Sequence, residues 1–154
     1  MNILFVCTGN TCRSPMAEAL FRAKLEQNSI NSILVQSAGI AAMDGAQASR
    51  HAQTVLVTSG IDHQHQSKRL NDDLISWADI ILTMTVSHKT TIRDWFPQST
   101  RKIYTLKEYV ELAGDQDIAD PYGGSLSIYE KCAEEIKEAV ELLLKKVTPT
   151  KVSE

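Results

Sequence analysis

The chain has little cysteine, and no pattern in what it has. Cys7, Cys12 and Cys132 are the only three among 154 residues. An odd number without C-x-x-C excludes a disulfide framework, and no Cys/His spacing suggests a metal site. Unpaired thiols suit a reducing compartment, so a cytoplasmic location is expected. No long hydrophobic run occurs either. Met1 is followed at once by Asn2 and a short apolar stretch, which leaves no secretory leader or membrane span, and no membrane partner is expected. Excess positive charge is also missing: 16 Lys and Arg stand against 19 Asp and Glu, a net charge of −3. Such a chain has no general field for nucleic acid, and none is expected as a partner. G-x4-G-K-[ST] is absent, which excludes a nucleotide-binding P-loop. With no repeats or linkers, the chain is expected to form one domain over residues 1–148, followed by a loose tail at 149–154.

What is present is an alternation. Asn2 to Val6 is a nearly all-apolar run, the pattern of a strand buried on both faces. Ile33 to Val35, Asp79 to Met84 and Lys102 to Tyr104 read as further strands. Helical patterns run from Pro15 to Gln27 and from about Ala46 to Thr58, closed by Gly60. Two more run from near Thr85 to before Pro97 and from Ser125 to about Lys146. In the last, Ile128, Cys132, Ile136, Ala139, Val140 and Leu143 recur at helical spacing. The expected class is α/β: a doubly wound, four-stranded parallel sheet flanked by helices on both faces. Ligands of such sheets bind beyond the carboxyl ends of the strands, which is where residues 7–14 leave the first strand.

That stretch reads CTGNTCRS. Ser14-Pro15 is a helix start, because serine caps free N–H groups and proline suits the first helical position. Free amides and the positive end of a helix dipole make an anion site, around which Thr8, Gly9 and Asn10 let the backbone curl. Arg13 adds a planar fork for two phosphate oxygens. The same field and the nearby cation favour the thiolate of Cys7, a nucleophile placed to attack phosphorus. Ser14 can donate to that sulfur. A phosphatase also needs an acid for the leaving group, and Asp120 in DPYGGS, a loop sequence, is the best candidate. A nearby phosphate dianion would favour its protonated form.

FVCTGNTCRSP at the amino end, SAG at Ser37 to Gly39, ADIILTM at Ala78 to Met84 and DPYGGS near the carboxyl end together resemble the low-molecular-weight protein tyrosine phosphatase family. The resemblance spans nearly the whole chain. It implies that Cys7 is the nucleophile, Arg13 the phosphate clamp and Asp120 the general acid. Thr8, Gly9, Asn10, Thr11, Cys12 and Arg13 would offer backbone donors, while Asn10, Ser14, Ser37 and His65 would hold the loop in shape. It also implies a reversible Cys7–Cys12 disulfide that protects the nucleophile.

Two positions depart from the family's tyrosine phosphatases. Thr11 stands where an apolar Ile or Leu is usual, and Gly123 where a second aromatic follows Asp-Pro-Tyr. A phosphotyrosine ring needs apolar walls, which a hydroxyl spoils. Threonine in the loop with D-P-[YF]-G-G resembles the bacterial protein-arginine phosphatase branch, in which the threonine favours phosphoarginine. Thr11 is therefore the expected specificity filter, with Tyr122 at the pocket mouth and phosphorylated proteins as the expected partners. Phosphotyrosine is the alternative substrate. A third reading, arsenate reductase, lacks resolving cysteines, since Thr83 to Lys89 contains none. No cofactor or metal is implied, and a monomer is expected. Cys132 is expected in the core, His51, His63 and His88 at the surface, and Trp77 and Trp95 as packing anchors at helix ends.

Overall fold

A computed structural model describes residues 1–148, and the tail expected at 149–154 lies outside the described residues. Four parallel strands form the sheet: β1 (Asn2–Cys7), β2 (Leu34–Gly39), β3 (Ile80–Thr83) and β4 (Ile103–Thr105), in the order β2-β1-β3-β4. The helices are α1 (Arg13–Gln27), α2 (Arg50–Thr58), α3 (Asp72–Trp77), α4 (Val86–Trp95), α5 (Leu106–Tyr109) and α6 (Leu126–Val147). A 3₁₀ turn, Pro97–Lys102, precedes β4. The doubly wound class expected from the alternation is the one found.

β1 lies inside the sheet, and its residues alternate between two cores. Ile3, Phe5 and Cys7 face the larger one with α1, α2 and α6, while Leu4 and Val6 face Ile75 of α3 and Ile92 of α4. Phe5 meets Phe21 of α1 edge to face at 6.0 Å between ring centroids. Burial on both faces is why the strand reads as continuously apolar. The winding reverses at β1, which pairs with β2 on one side and β3 on the other, and its carboxyl end is the switch point where such sheets bind ligands.

Several boundaries differ from expectation, each for a local reason. β2 runs on to Gly39 instead of ending at Val35, because Gln36 to Gly39 pair with β1 as far as Cys7. The second helix starts at Arg50 rather than near Ala46. Gly45 and Ala46 exchange backbone hydrogen bonds with Ser67, and the Ser49 hydroxyl then caps α2 at the Ala52 N–H. Its end is as expected: Gly60 takes φ +76°, and Gly60 and Ile61 donate to Val57 and Leu56 in a Schellman arrangement. α3, α5 and the 3₁₀ turn were not anticipated. In α6 the buried stripe holds Tyr129 and Ala133 with Cys132, Ile136, Ala139, Val140 and Leu143, while Ile128 is 48% exposed. Cys132 is in the core, where burial pushes its thiol up to about 12. Trp77 packs on the second core, but Trp95 is 56% exposed and belongs to neither core.

Candidate active site

Residues 8–12 bend sharply between β1 and α1. Most of their carbonyls, with that of Cys7 before them, are engaged: Ile40 and Ala41 donate to Cys7 and Thr8, Ser49 donates to Thr11, and Met16 donates to Cys12. Their amides are not. Among the described residues, no hydrogen bond uses the N–H of Thr8, Gly9, Asn10, Thr11 or Cys12. Backbone donors are rarely left idle, so five in succession at the start of a helix form a nest for an anion.

Asn10 sets the shape of this loop. It sits in the left-handed region at φ 55°, fully buried, and every polar group of its side chain is used. Nδ2 donates to the Ser14 and Ser37 hydroxyls at 2.8 and 2.9 Å, and Oδ1 accepts from the Lys68 amide at 2.9 Å. Its carbonyl accepts from His65 Nε2 and from the Ser67 hydroxyl, both at 2.7 Å. Gly39 completes the enclosure. A Cβ there would meet the Thr8 carbonyl at 2.5 Å and the Asn10 amide at 2.8 Å, so only glycine lets β2 pass this close. Asn10, Ser14, Ser37 and His65 are thus brought together by the fold.

Ser14 does not cap the helix. α1 begins at Arg13 with Cys12 in the N-cap position and no side-chain cap, and the Ser14 hydroxyl lies 2.9 Å from Cys7 Sγ. Asn10 Nδ2 donates to that hydroxyl, whose own proton lies between the sulfur at 2.9 Å and the more distant Ala38 carbonyl at 3.4 Å, so it can turn to a thiolate when one forms. Arg13 is 4% exposed; its Nη1 donates to the Ile118 carbonyl at 2.9 Å, and its Nε has no partner. Asp120 faces the other side of the guanidinium, with Oδ2 3.6 Å from Nη2 and Oδ1 accepting from the Tyr122 amide at 3.0 Å. The carboxylate is half exposed, and the Tyr122 ring, 78% exposed, packs into no wall. Gly123 takes φ +77°, and a Cβ on Gly124 would meet the Pro121 carbonyl at 2.9 Å, so this turn depends on both glycines.

Three further groups touch the loop without any warning in the sequence. Tyr129 of α6 places its hydroxyl 3.2 Å from Cys12 Sγ, and burial raises its phenol to about 12. Ser49 Oγ is 3.4 Å from the same sulfur. His88, expected at the surface, is buried and shares a 2.9 Å hydrogen bond between Nε2 and Thr8 Oγ1. His63 is likewise enclosed, and His51 lies against the Tyr129 ring. Clefts of about 700 and 670 Å³ border α2, and neither reaches Cys7. Free donors mark this site, and volume does not.

His88 gives a pH prediction. Burial, with the Arg13 charge adding to it, lowers its pKa from 6.5 to about 4. Between those values the unfolded chain binds a proton that the folded chain refuses, so this stability is full above pH 6.5 and lost on acidification to pH 4. The loss should be on the order of 2 kcal/mol, or roughly 5 °C in Tm. Melting curves of wild type and His88→Gln should therefore converge as the pH falls. Parallel curves would show that His88 is not the group responsible.

A family model described as low molecular weight phosphotyrosine protein phosphatase matches residues 2–153. The chain belongs to that family. Among relatives of this phosphatase, a protein-arginine-phosphatase of Geobacillus stearothermophilus is 44% identical over 94% of this chain and 95% of the relative. One of Bacillus subtilis is 43% identical over 96% and 97%. A solved YwlE arginine phosphatase, a cysteine-to-serine mutant with a phosphorylated active-site serine, superimposes with a TM-score of 0.93 at 41% identity, covering 98% of both chains. Among the described residues, no helix of this phosphatase is long and apolar enough to cross a membrane.

Proposed function

We propose that this phosphatase removes phosphate from phosphoarginine residues of proteins through a cysteinyl-phosphate intermediate. The five unpaired amides around Cys7 carry the reading, together with relatives named for that activity. A phosphoryl group seated in the loop supplies acceptors for those amides and for the partnerless Nε of Arg13. The Cys7 thiolate attacks phosphorus, and the N–P bond breaks as Asp120 protonates the departing guanidine nitrogen. Water, deprotonated by the Asp120 carboxylate, then attacks the cysteinyl phosphate. Inorganic phosphate forms, and the thiolate leaves stabilised by the Ser14 hydroxyl. In the same reading a carboxyl oxygen of Asp120 accepts from the substrate's guanidinium N–H groups and so orients the leaving nitrogen.

Thr11 is the specificity filter of this reading. It is half-buried beside Cys12, with Oγ1 3.7 Å from that sulfur, and presents a hydroxyl where an aryl ring would require apolar surface. The family description names phosphotyrosine, which makes it the rival substrate. One comparison separates them: kcat/KM for a phosphoarginine and a phosphotyrosine peptide, in wild type and Thr11→Ile. Wild type should prefer phosphoarginine, and the substitution should move the ratio toward phosphotyrosine by about tenfold or more, roughly 1.4 kcal/mol. A wild-type preference for phosphotyrosine would retain the mechanism and discard the substrate.

The enzyme acts as a cytoplasmic monomer on phosphorylated proteins, needing neither nucleic acid nor membrane. Its own redox protection is a Cys7–Cys12 disulfide. All three cysteines are free thiols in the structure, and Cys12 is buried at the end of the loop that starts after Cys7. Peroxide oxidises Cys7 to a sulfenic acid, which condenses with the Cys12 thiol, releasing water. Intact mass should fall by two hydrogens with reversible loss of activity, and Cys12→Ser should instead gain oxygens and lose activity irreversibly.

A further inference from the structure

Beside the phosphate loop, at the Asn10 carbonyl, three potential ligands converge. Glu18 of α1 with His63 and His65 of the segment after α2 place one ligand atom each within 4.8 Å of one another. Glu18 is 6% exposed and the His63 side chain 7%, so two of the three are withdrawn from water. His63 Nε2 lies 2.9 Å from Glu18 Oε2, a buried imidazole–carboxylate contact whose angle is poor for a hydrogen bond. Two such groups held this close need a positive charge between them, either a shared proton or a cation.

His65 is arranged to be the third ligand. Its Nε2 donates to the Asn10 carbonyl at 2.7 Å, which leaves Nδ1 as the nitrogen with a free lone pair. A metal-bound histidine commonly holds its other N–H on a backbone carbonyl in this way, which fixes tautomer and ring orientation. The rings of His63 and His65 are stacked, with centroids 5.6 Å apart. The group opens into the cleft of about 700 Å³, which also holds Asp62, so an ion has a route and water has room to complete its shell.

We propose that Glu18, His63 and His65 form a binding site for a divalent transition-metal ion of the zinc type. Two imidazoles and one carboxylate are a zinc donor set, with water as fourth ligand. Tetrahedral zinc keeps its ligand atoms roughly 3.3 Å apart, so the Glu18–His63 pair is already close enough and His65 needs only a small inward movement. Arg22, 3.7 Å from the Glu18 carboxylate and 44% exposed, can swing out as the ion enters. The sequence gives no hint of this, because Glu18 lies 45 positions before His63 and H-x-H alone is too short a motif to signify. The metal would touch the phosphate loop through one residue, His65, and so would stiffen the Asn10 contact without entering the catalytic centre.

Zinc also binds thiolates, so the test uses Cys7→Ser as the parent. Calorimetry with zinc chloride should show one ion per chain in the parent. In Cys7→Ser/His63→Gln the affinity should fall by more than about tenfold, since losing a direct ligand costs at least as much as losing an outer-shell partner. His63→Gln in the wild-type background should leave metal-free phosphatase activity unchanged. Cobalt(II) should report nitrogen and oxygen ligation, without a thiolate charge-transfer band. Absence of stoichiometric binding in the parent, or equal affinity in the His63→Gln variant, would overturn the site. If that variant folds poorly, imidazole NMR of the parent decides: zinc must move the His63 and His65 resonances, and movement of His51 or His88 alone counts against the site.

Discussion

Cys7→Ser should lower kcat by about four orders of magnitude or more, while phosphate still binds. The two effects separate because the residue has two kinds of neighbour. Its sulfur is the attacking atom and the leaving atom of the second step, and a serine oxygen is a poor substitute for both at neutral pH. The anion nest belongs to the backbone, held by Asn10, Ser37, His65 and Ser67, none of which needs the sulfur. Single-turnover kinetics with a phosphoarginine peptide, beside phosphate titration by calorimetry, checks both halves. Near-normal turnover in Cys7→Ser would end the covalent mechanism. Lost phosphate affinity would instead show that the thiol also shapes the loop.

Asp120→Asn should cost about 10²- to 10⁴-fold in kcat/KM, which covers only the steps up to the phosphorylated cysteine and not its shared hydrolysis, and the cost should depend on the leaving group. An amide cannot donate the proton that a departing guanidine nitrogen requires, whereas an aryl phosphate with an acidic phenol leaves almost unaided. The deficit should therefore be large for phosphoarginine and small for p-nitrophenyl phosphate. The substitution preserves shape, because the amide oxygen can still accept from the Tyr122 N–H that now binds Oδ1. Equal losses on both substrates would place Asp120 in binding rather than proton transfer. The 3.6 Å contact of this half-exposed carboxylate with Arg13 contributes little, so its loss in the variant should not imitate that result.

The parts of the protein that read from sequence are those in which neighbouring residues settle the matter. The apolar run of β1 and the periodicity of α6 reflect faces that each element buries by itself. The C-x5-R-S loop lies on one strand-to-helix turn, and even its one error, Ser14 as a cap, came from a sound local rule that the sulfur overrode. α3 was missed although Asn71-Asp72-Asp73 is a legible start: Asn71 caps Leu74 and two acids fill the first turn. His88 and His63 were misplaced because burial of a polar ring depends on what arrives from elsewhere. Tyr129, Ser49 and the Ile118 carbonyl reach the loop from distant segments, and nothing in their surroundings distinguishes them.

Those distant arrivals bear on how the enzyme is made. The bonds that finish the loop join Asn10 to residues 27 and 55 to 58 positions later, Arg13 to one 105 later, and Cys12 to one 117 later. β1 and the loop precede all of these partners in the chain, so the guanidinium has no anchor until Ile118 folds against it, and Cys12 lacks its Tyr129 contact until α6 docks. A chain folded only as far as α2 would therefore hold an unfinished cysteine loop. The site is complete only when α6 closes over the larger core, which ties catalysis to the folding of the whole domain.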